Sequence, residues 1–240
     1  MHSHRPKPSG PPRKAGFSLI ELLTVIAIIS VLMTVGAIGI GSLLGGKGVT
    51  SGVASAESVF DEARSTAVSQ RTKARVLIDV TDPKNQNYLR RMLVAYEELD
   101  DDGNPKSNVW TISNRGLMLP DQVYFSRVYS KKSLTGSGEL DKMSLNGVAR
   151  DYVGEYYYYE FNEEGICRPS STGMEKVGAE KPGNATFVLG TGVREVNSEE
   201  PRVTASTKRD FGGFVIWRNG RTSIFRSPNQ LNIPENITKF

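Results

Sequence analysis

Residues 13–32 read Arg-Lys-Ala-Gly-Phe-Ser-Leu-Ile-Glu-Leu-Leu-Thr-Val-Ile-Ala-Ile-Ile-Ser-Val-Leu, and this stretch decides the fold. A basic pair precedes a glycine, and a long apolar run follows with one acid, Glu21, near its start. Residues 17–44 make 28 residues with a single ionisable group. As a helix they would extend about 42 Å at 1.5 Å per residue, against a hydrocarbon core of about 30 Å. The run is too long for a secretory signal peptide, whose apolar region covers about 7–15 residues and precedes the cleavage site; here Gly16 stands before the apolar stretch. An acid within a membrane helix costs roughly 2.5–3.5 kcal/mol on insertion scales, so Glu21 calls for a compensating role.

The charge distribution points the same way. The chain has 30 basic and 26 acidic residues, but Arg5, Lys7, Arg13 and Lys14 fall within residues 1–16, which hold no acid. The rest of the chain is formally neutral, which argues against nucleic-acid binding through phosphate neutralisation. Lys and Arg beside a membrane helix mark its cytoplasmic end, so everything after the apolar run is expected on the far side of the membrane. His2 and His4 are the only histidines, and Cys167 is the only cysteine. The body therefore lacks the residues for a histidine-based triad, a histidine zinc site or an internal disulfide. No cofactor is expected, and the chain reads as a non-enzyme.

Beyond the run, glycines crowd in at 36, 39, 41, 45, 46, 48 and 52. Two readings stand: a flexible exit from the membrane, or a meltable or closely packed section of a long helix, with Gly41 and Gly45 as a small-residue pair. Helical periodicity resumes at Val49, Val53, Ala56, Phe60, Ala63 and Ala67, spaced four, three, four, three and four apart, one apolar stripe on a helix. Glu57, Asp61, Glu62, Arg64 and Arg71 fall off it. This helix is expected to end near Gln70 and to lie on a sheet.

From Ala74 the period becomes that of strands. Strands are expected at 74–80, 88–97 (entered by a turn at Asp82-Pro83-Lys84-Asn85), 109–113, 122–128, 152–161 and 186–189. A hairpin pairs 213–217 with 222–225 around Arg218-Asn219-Gly220-Arg221, because Asn and Gly both tolerate positive φ. Residues 130–150, 165–183 and 191–212 read as loops. The four tyrosines at 156–159 should alternate on a strand, two inward and two outward. The expected fold is α+β: a long N-terminal helix, membrane-spanning in its first half, packed on an antiparallel β-sheet. The expected divisions are a leader at 1–16, the span at 17–44, the soluble half of the helix at 45–71 and a β-rich domain at 72–240.

The junction Gly16–Phe17 with Glu21 four residues on, the basic leader and Phe-Ser-Leu-Ile-Glu-Leu-Leu together resemble the processing motif of type IV pilins and pseudopilins. The resemblance implies that a prepilin peptidase cuts between Gly16 and Phe17 and methylates the new amine on Phe17. It implies that Glu21 pairs with the N-terminal amine of a neighbouring subunit during assembly, a cation that would offset the cost of an acid in an apolar setting. Ala63-Arg64-Ser65-Thr66-Ala67 on the helix, then Ala74-Arg75-Val76-Leu77-Ile78-Asp79, residues 117–124 and the final hairpin look like the H-type minor pseudopilins of type II secretion and related minor pilins. The implied partners are other pilin or pseudopilin subunits, the peptidase, an inner-membrane assembly platform with its ATPase, and membrane lipid. The implied location is the bacterial inner membrane, single-pass, with the N terminus cytoplasmic and the globular domain periplasmic or extracellular after assembly. A minor pilin of a type IV pilus, serving adhesion, motility or DNA uptake, and a solitary membrane-anchored binding protein remain open as alternatives.

Asp100, Asp102 and Asn104 concentrate oxygen ligands of the kind calcium takes, but Thr111 stands where an EF-hand loop has its bidentate Glu; a solvated turn is the expectation and no metal is predicted. The tyrosine run reads as packing rather than a recognition surface. Cys167 reads as a small packed residue or loop thiol, with no histidine to activate it.

Overall fold

The computed structural model describes residues 19–240 apart from 114, 133–137, 169–184, 204–210, 226–227, 232 and 235–236, and of residues 31–47 it describes the backbone alone. The junction at Gly16 and Phe17 lies outside the described residues. The chain divides into two compact units, 1–43 and 44–240.

The helix α1 (Leu19–Gln70) carries the stripe read from the sequence as its packing face. Val49, Val53, Ala56, Phe60, Ala63 and Ala67 are all buried, joined by Val59, while Asp61 and Arg71 are exposed. The helix closes by a left-handed cap: Arg71 has φ 53°, and the Thr72 N–H donates to the Ala67 carbonyl at 3.2 Å. This is the six-to-one bond of a Schellman motif, with Arg where glycine is usual.

Eleven strands follow among the described residues: β1 (Ala74–Asp79), β2 (Arg91–Leu99), β3 (Pro105–Ile112), β4 (Leu117–Met118), β5 (Val123–Phe125), β6 (Lys142–Leu145), β7 (Gly154–Phe161), β8 (Cys167–Arg168), β9 (Ala185–Thr191), β10 (Phe211–Ile216) and β11 (Thr222–Ile224). They form two antiparallel sheets where a single sheet is expected. The first runs β3-β2-β1-β7-β6, with β4 also on β2 and β8 on β7; the second runs β11-β10-β9-β5. Phe60 joins them. Its ring lies 5.1 Å from Tyr159 and 6.3 Å from Phe161 on the first sheet, and 5.3 Å from Phe187 and 5.0 Å from Phe214 on the second. Helix and β10 approach closely because Gly212 has no side chain: a Cβ there would sit 2.7 Å from Val49 Cγ1. Gly52 likewise packs against Leu189, Pro120 and Val123.

Several expected elements shift. Residues 88–90 belong to a turn, not to the second strand: Asp82 Oδ1 accepts from Lys84 N at 2.8 Å, Leu89 adopts φ 57°, and pairing begins at Arg91. The expected loop 130–150 contains β6, paired Lys142↔Tyr157 to Leu145↔Gly154. The expected loop 165–183 opens with β8, and Phe211 and Gly212 already belong to β10. The final hairpin forms, but Gly220 alone takes positive φ (75°) in its turn. The Gly220 N–H donates to the Trp217 carbonyl at 2.8 Å, and the Trp217 N–H to that of Arg221 at 2.8 Å. This is an ordinary turn followed by a left-handed glycine rather than the two-residue mirror-image turn.

The tyrosines alternate, yet neither pair is left in solvent. Tyr157 and Tyr159 join the core under the helix, while Tyr156 and the half-buried Tyr158 join a second cluster with Leu77, Leu93, Ala95 and Trp110 on the opposite face. That face is closed by the segment after β6, which Arg91 holds by donating to the Asp151 carbonyl at 2.9 Å.

Candidate assembly site on the N-terminal helix

Glu21 lies in the first turn of α1, on an exposed stretch. A carboxylate here faces the positive end of the helix dipole and is favoured by about 0.3–1 kcal/mol where solvent-exposed. The side chains around it are apolar in every direction. Leu19, Ile20, Leu22, Leu23, Val25, Ile26, Ile28 and Ile29 are 47–79% exposed. At 100° per residue these positions circle the helix, so no polar face is left for water, the pattern of a helix that another apolar medium or other helices must surround. Each such side chain is worth about 1.5–3 kcal/mol when fully buried. The two hydroxyls of the stretch are satisfied within the helix: Thr24 Oγ1 donates to the Ile20 carbonyl at 2.7 Å and Ser30 Oγ to the Ile26 carbonyl at 2.8 Å. Polar side chains that bond their own helix are compatible with an apolar surrounding. Among the described residues, no helix is long and apolar enough to cross a membrane; of the expected span 17–44, residues 17 and 18 and the side chains of 31–44 lie outside them.

The remaining candidates separate from this stretch. Asp100 Oδ1 accepts the backbone N–H groups of Asn104 at 2.7 Å and Asp102 at 3.0 Å. The bond from Asn104, foremost, holds its carboxyl below the usual range. The carboxylate thus closes the β2–β3 turn. No group of three or more His, Cys, Asp or Glu is placed to hold a metal among the described residues. Cys167 is a packed residue on β8. Burial, followed by the nearby Glu160 carboxylate, pushes its thiol up to about 12, so it is no ready nucleophile.

Two arrangements escaped the sequence reading. Arg75 and Glu160 form a buried ion pair at 2.6 Å, and the guanidinium is stacked between Trp110 (4.2 Å) and Tyr158 (4.0 Å). Arg91 pairs with Asp79 at 2.6 Å on the same face. The partners in each pair are far apart in sequence, and no local spacing announces them.

Residues 11–44 match the family described as Prokaryotic N-terminal methylation motif. The match takes in Gly16, Phe17 and Glu21 and supports a type IV pilin-like family, a structural and generally non-enzymatic class. No curated protein and no solved structure matches the chain.

Proposed function

We propose that this chain is a minor subunit of a type II secretion pseudopilus. In this reading a prepilin peptidase cuts between Gly16 and Phe17 and methylates Phe17, and the helix holds the subunit in the inner membrane until assembly. The apolar helices then bundle into a filament core, with Glu21 pairing with the amine of a neighbouring Phe17 and so setting register. The platform and its ATPase drive extrusion, and the globular unit is carried outward.

The observation that carries the proposal is the methylation motif at residues 11–44. The all-round apolar surface of residues 19–29 supports it, since a helix without a polar face needs lipid or other helices around it. Mass spectrometry of the mature N terminus is the direct test. A chain starting at methylated Phe17 is the expected result, and an intact Met1 in cells with active peptidase would refute it. Glu21→Val should abolish filament incorporation while leaving membrane insertion intact; unchanged incorporation would remove the assembly role given to Glu21. Deleting the gene should abolish export of a secreted protein, and loss of pili with normal export would instead assign the subunit to a type IV pilus.

A further inference from the structure

β3 lies at one edge of the first sheet, and its two halves differ. Residues 105–108 carry the features that blunt a sheet edge: Pro105 has no N–H, Lys106 is charged, Asn108 has φ 62°, and the register shifts between Glu97 and Leu99. Natural proteins use such features to stop an edge from pairing. Val109-Trp110-Thr111-Ile112 has none of them and consists of good strand formers.

The ladder fixes which groups this open half presents. Ser113 N donates to the Val94 carbonyl at 2.8 Å, and the register continues Ala95↔Ile112, Tyr96↔Thr111 and Glu97↔Trp110. Antiparallel pairs alternate between bonded and non-bonded. Thr111 therefore bonds to β2, while the N–H and C=O groups of Trp110 and Ile112 point away from the sheet.

Beside this half lies a cavity of about 550 Å³, bounded by Glu98 and residues 108–112 on one side and by 146–149 with Tyr152 on the other. Trp110, Ile112, Val148 and Tyr152 give it apolar walls. The far wall is held in place, since Tyr156 Oη donates to the Tyr152 carbonyl at 2.8 Å and Arg91 donates to that of Asp151 at 2.9 Å. An incoming strand needs about 4.8 Å from β3. At the other end of β3, the β2–β3 turn carries Asp100, Asp101 and Asp102, with Glu98 at the end of β2 and Lys106 at the start of β3 beside it. Glu98 is taken up by Lys106 at 3.5 Å and by the Thr111 hydroxyl, while Asp101 and Asp102 are exposed.

We propose that the open half of β3 is a docking site for an extended segment of a partner protein, added antiparallel as a further strand, with apolar side chains toward Trp110 and Val148 and basic residues over the acidic turn. The main-chain groups of Trp110 and Ile112 supply the bonds, and the cavity selects alternate apolar side chains. The charge of the turn places the basic end of the segment beside Pro105, which in the antiparallel pairing proposed is its C-terminal end.

The test uses the full chain in mild detergent and a synthetic eight-residue peptide of alternating valine and threonine ending in two lysines. Residue-resolved amide exchange is measured with and without peptide, up to about 1 mM. The expected result is alternation: exchange at Trp110 and Ile112 slows at least tenfold, while Thr111 is unchanged. Glutamates in place of the lysines should weaken binding at least tenfold, and N-methyl groups on the peptide residues facing Trp110 and Ile112 should abolish it. No slowing, slowing without alternation, or undiminished binding of the N-methylated peptide would overturn the proposal. Self-association of the chain that is blocked by the same peptide would assign the edge to a second copy and overturn it too.

Discussion

Replacing Phe60 by alanine should remove a large part of the stability of the 44–240 unit. The ring is fully buried and touches four others, two from each sheet, at centroid distances of 5.0–6.3 Å. Truncating a buried Phe to Ala costs about 3–5 kcal/mol, with the upper part of the range where surroundings cannot collapse into the space. Here collapse is opposed because the hole would lie between two hydrogen-bonded sheets and a helix. At roughly 2–4 °C per kcal/mol for a domain of this size, the thermal midpoint should fall by about 6–20 °C. Phe60→Leu, which keeps much of the volume, should cost clearly less, and Asp61→Ala on the exposed side of the same turn should stay within about 0.5 kcal/mol. The assay is thermal unfolding of the full chain followed by circular dichroism, with the three variants in parallel. A Phe60→Ala midpoint within 2 °C of the parent, or equal to that of Asp61→Ala, would refute Phe60 as the joint between the sheets.

The remaining predictions concern the second face and the buried acids. Arg75→Ala should destabilise by about 3–5 kcal/mol, because it leaves Glu160 buried without its cation; the double replacement Arg75→Met with Glu160→Leu should recover most of that loss in urea titrations, and no recovery would refute the desolvation argument. At high pH, stability should fall. The Cys167 thiol is raised by burial from 9.0 to about 12, and the Tyr156 hydroxyl, again chiefly by burial, from 10.0 to about 12. Between those limits the unfolded chain releases protons that the folded chain keeps, so each group lowers stability by about 1.4 kcal/mol per pH unit as pH rises. Cys167→Ala should remove the thiol's share, flattening the pH 9–10 portion of the curve; an unchanged slope there would contradict its burial.

How far the fold was legible depended on the distance over which each feature is encoded. The helical stripe from Val49 to Ala67 is a repeat within one element, and every position in it is buried. The hairpin at Asn219-Gly220 is equally local, although the close approach of Gly165 and Arg64, which a Cβ on Gly220 would meet, is not. Strand assortment is not local. β5 leaves the strands before it to pair with β9, and β6 crosses to pair with β7, so one expected sheet becomes two. Lys-Met-Ser-Leu in β6 is too short and too polar to signal a strand by itself. The tyrosines show the same limit: their alternation follows from strand geometry, but what covers Tyr156 and Tyr158 is decided by residues near 148–152. At the proposed assembly site, the motif around Gly16, Phe17 and Glu21, within the matched residues 11–44, was legible because its residue types are close together in sequence. The cavity at β3 was not, because its two walls lie more than thirty residues apart.

These two scales of encoding make the assembly and folding roles separable by experiment. Residues 19–29 present apolar side chains on all sides, so the segment has no packing face of its own, whereas residues 49–67 bury a single stripe. Glu21 and Phe60 also fall in different compact units. Distant substitutions without shared partners act additively, to within about 0.3–0.5 kcal/mol. Glu21→Val should therefore leave the Phe60-dependent thermal transition where it is, and Glu21→Val with Phe60→Leu should shift it by no more than Phe60→Leu alone. If Glu21→Val lowered that transition, a loss of filament incorporation would report misfolding, and the acid's proposed part in recruiting a neighbouring subunit would lose its support.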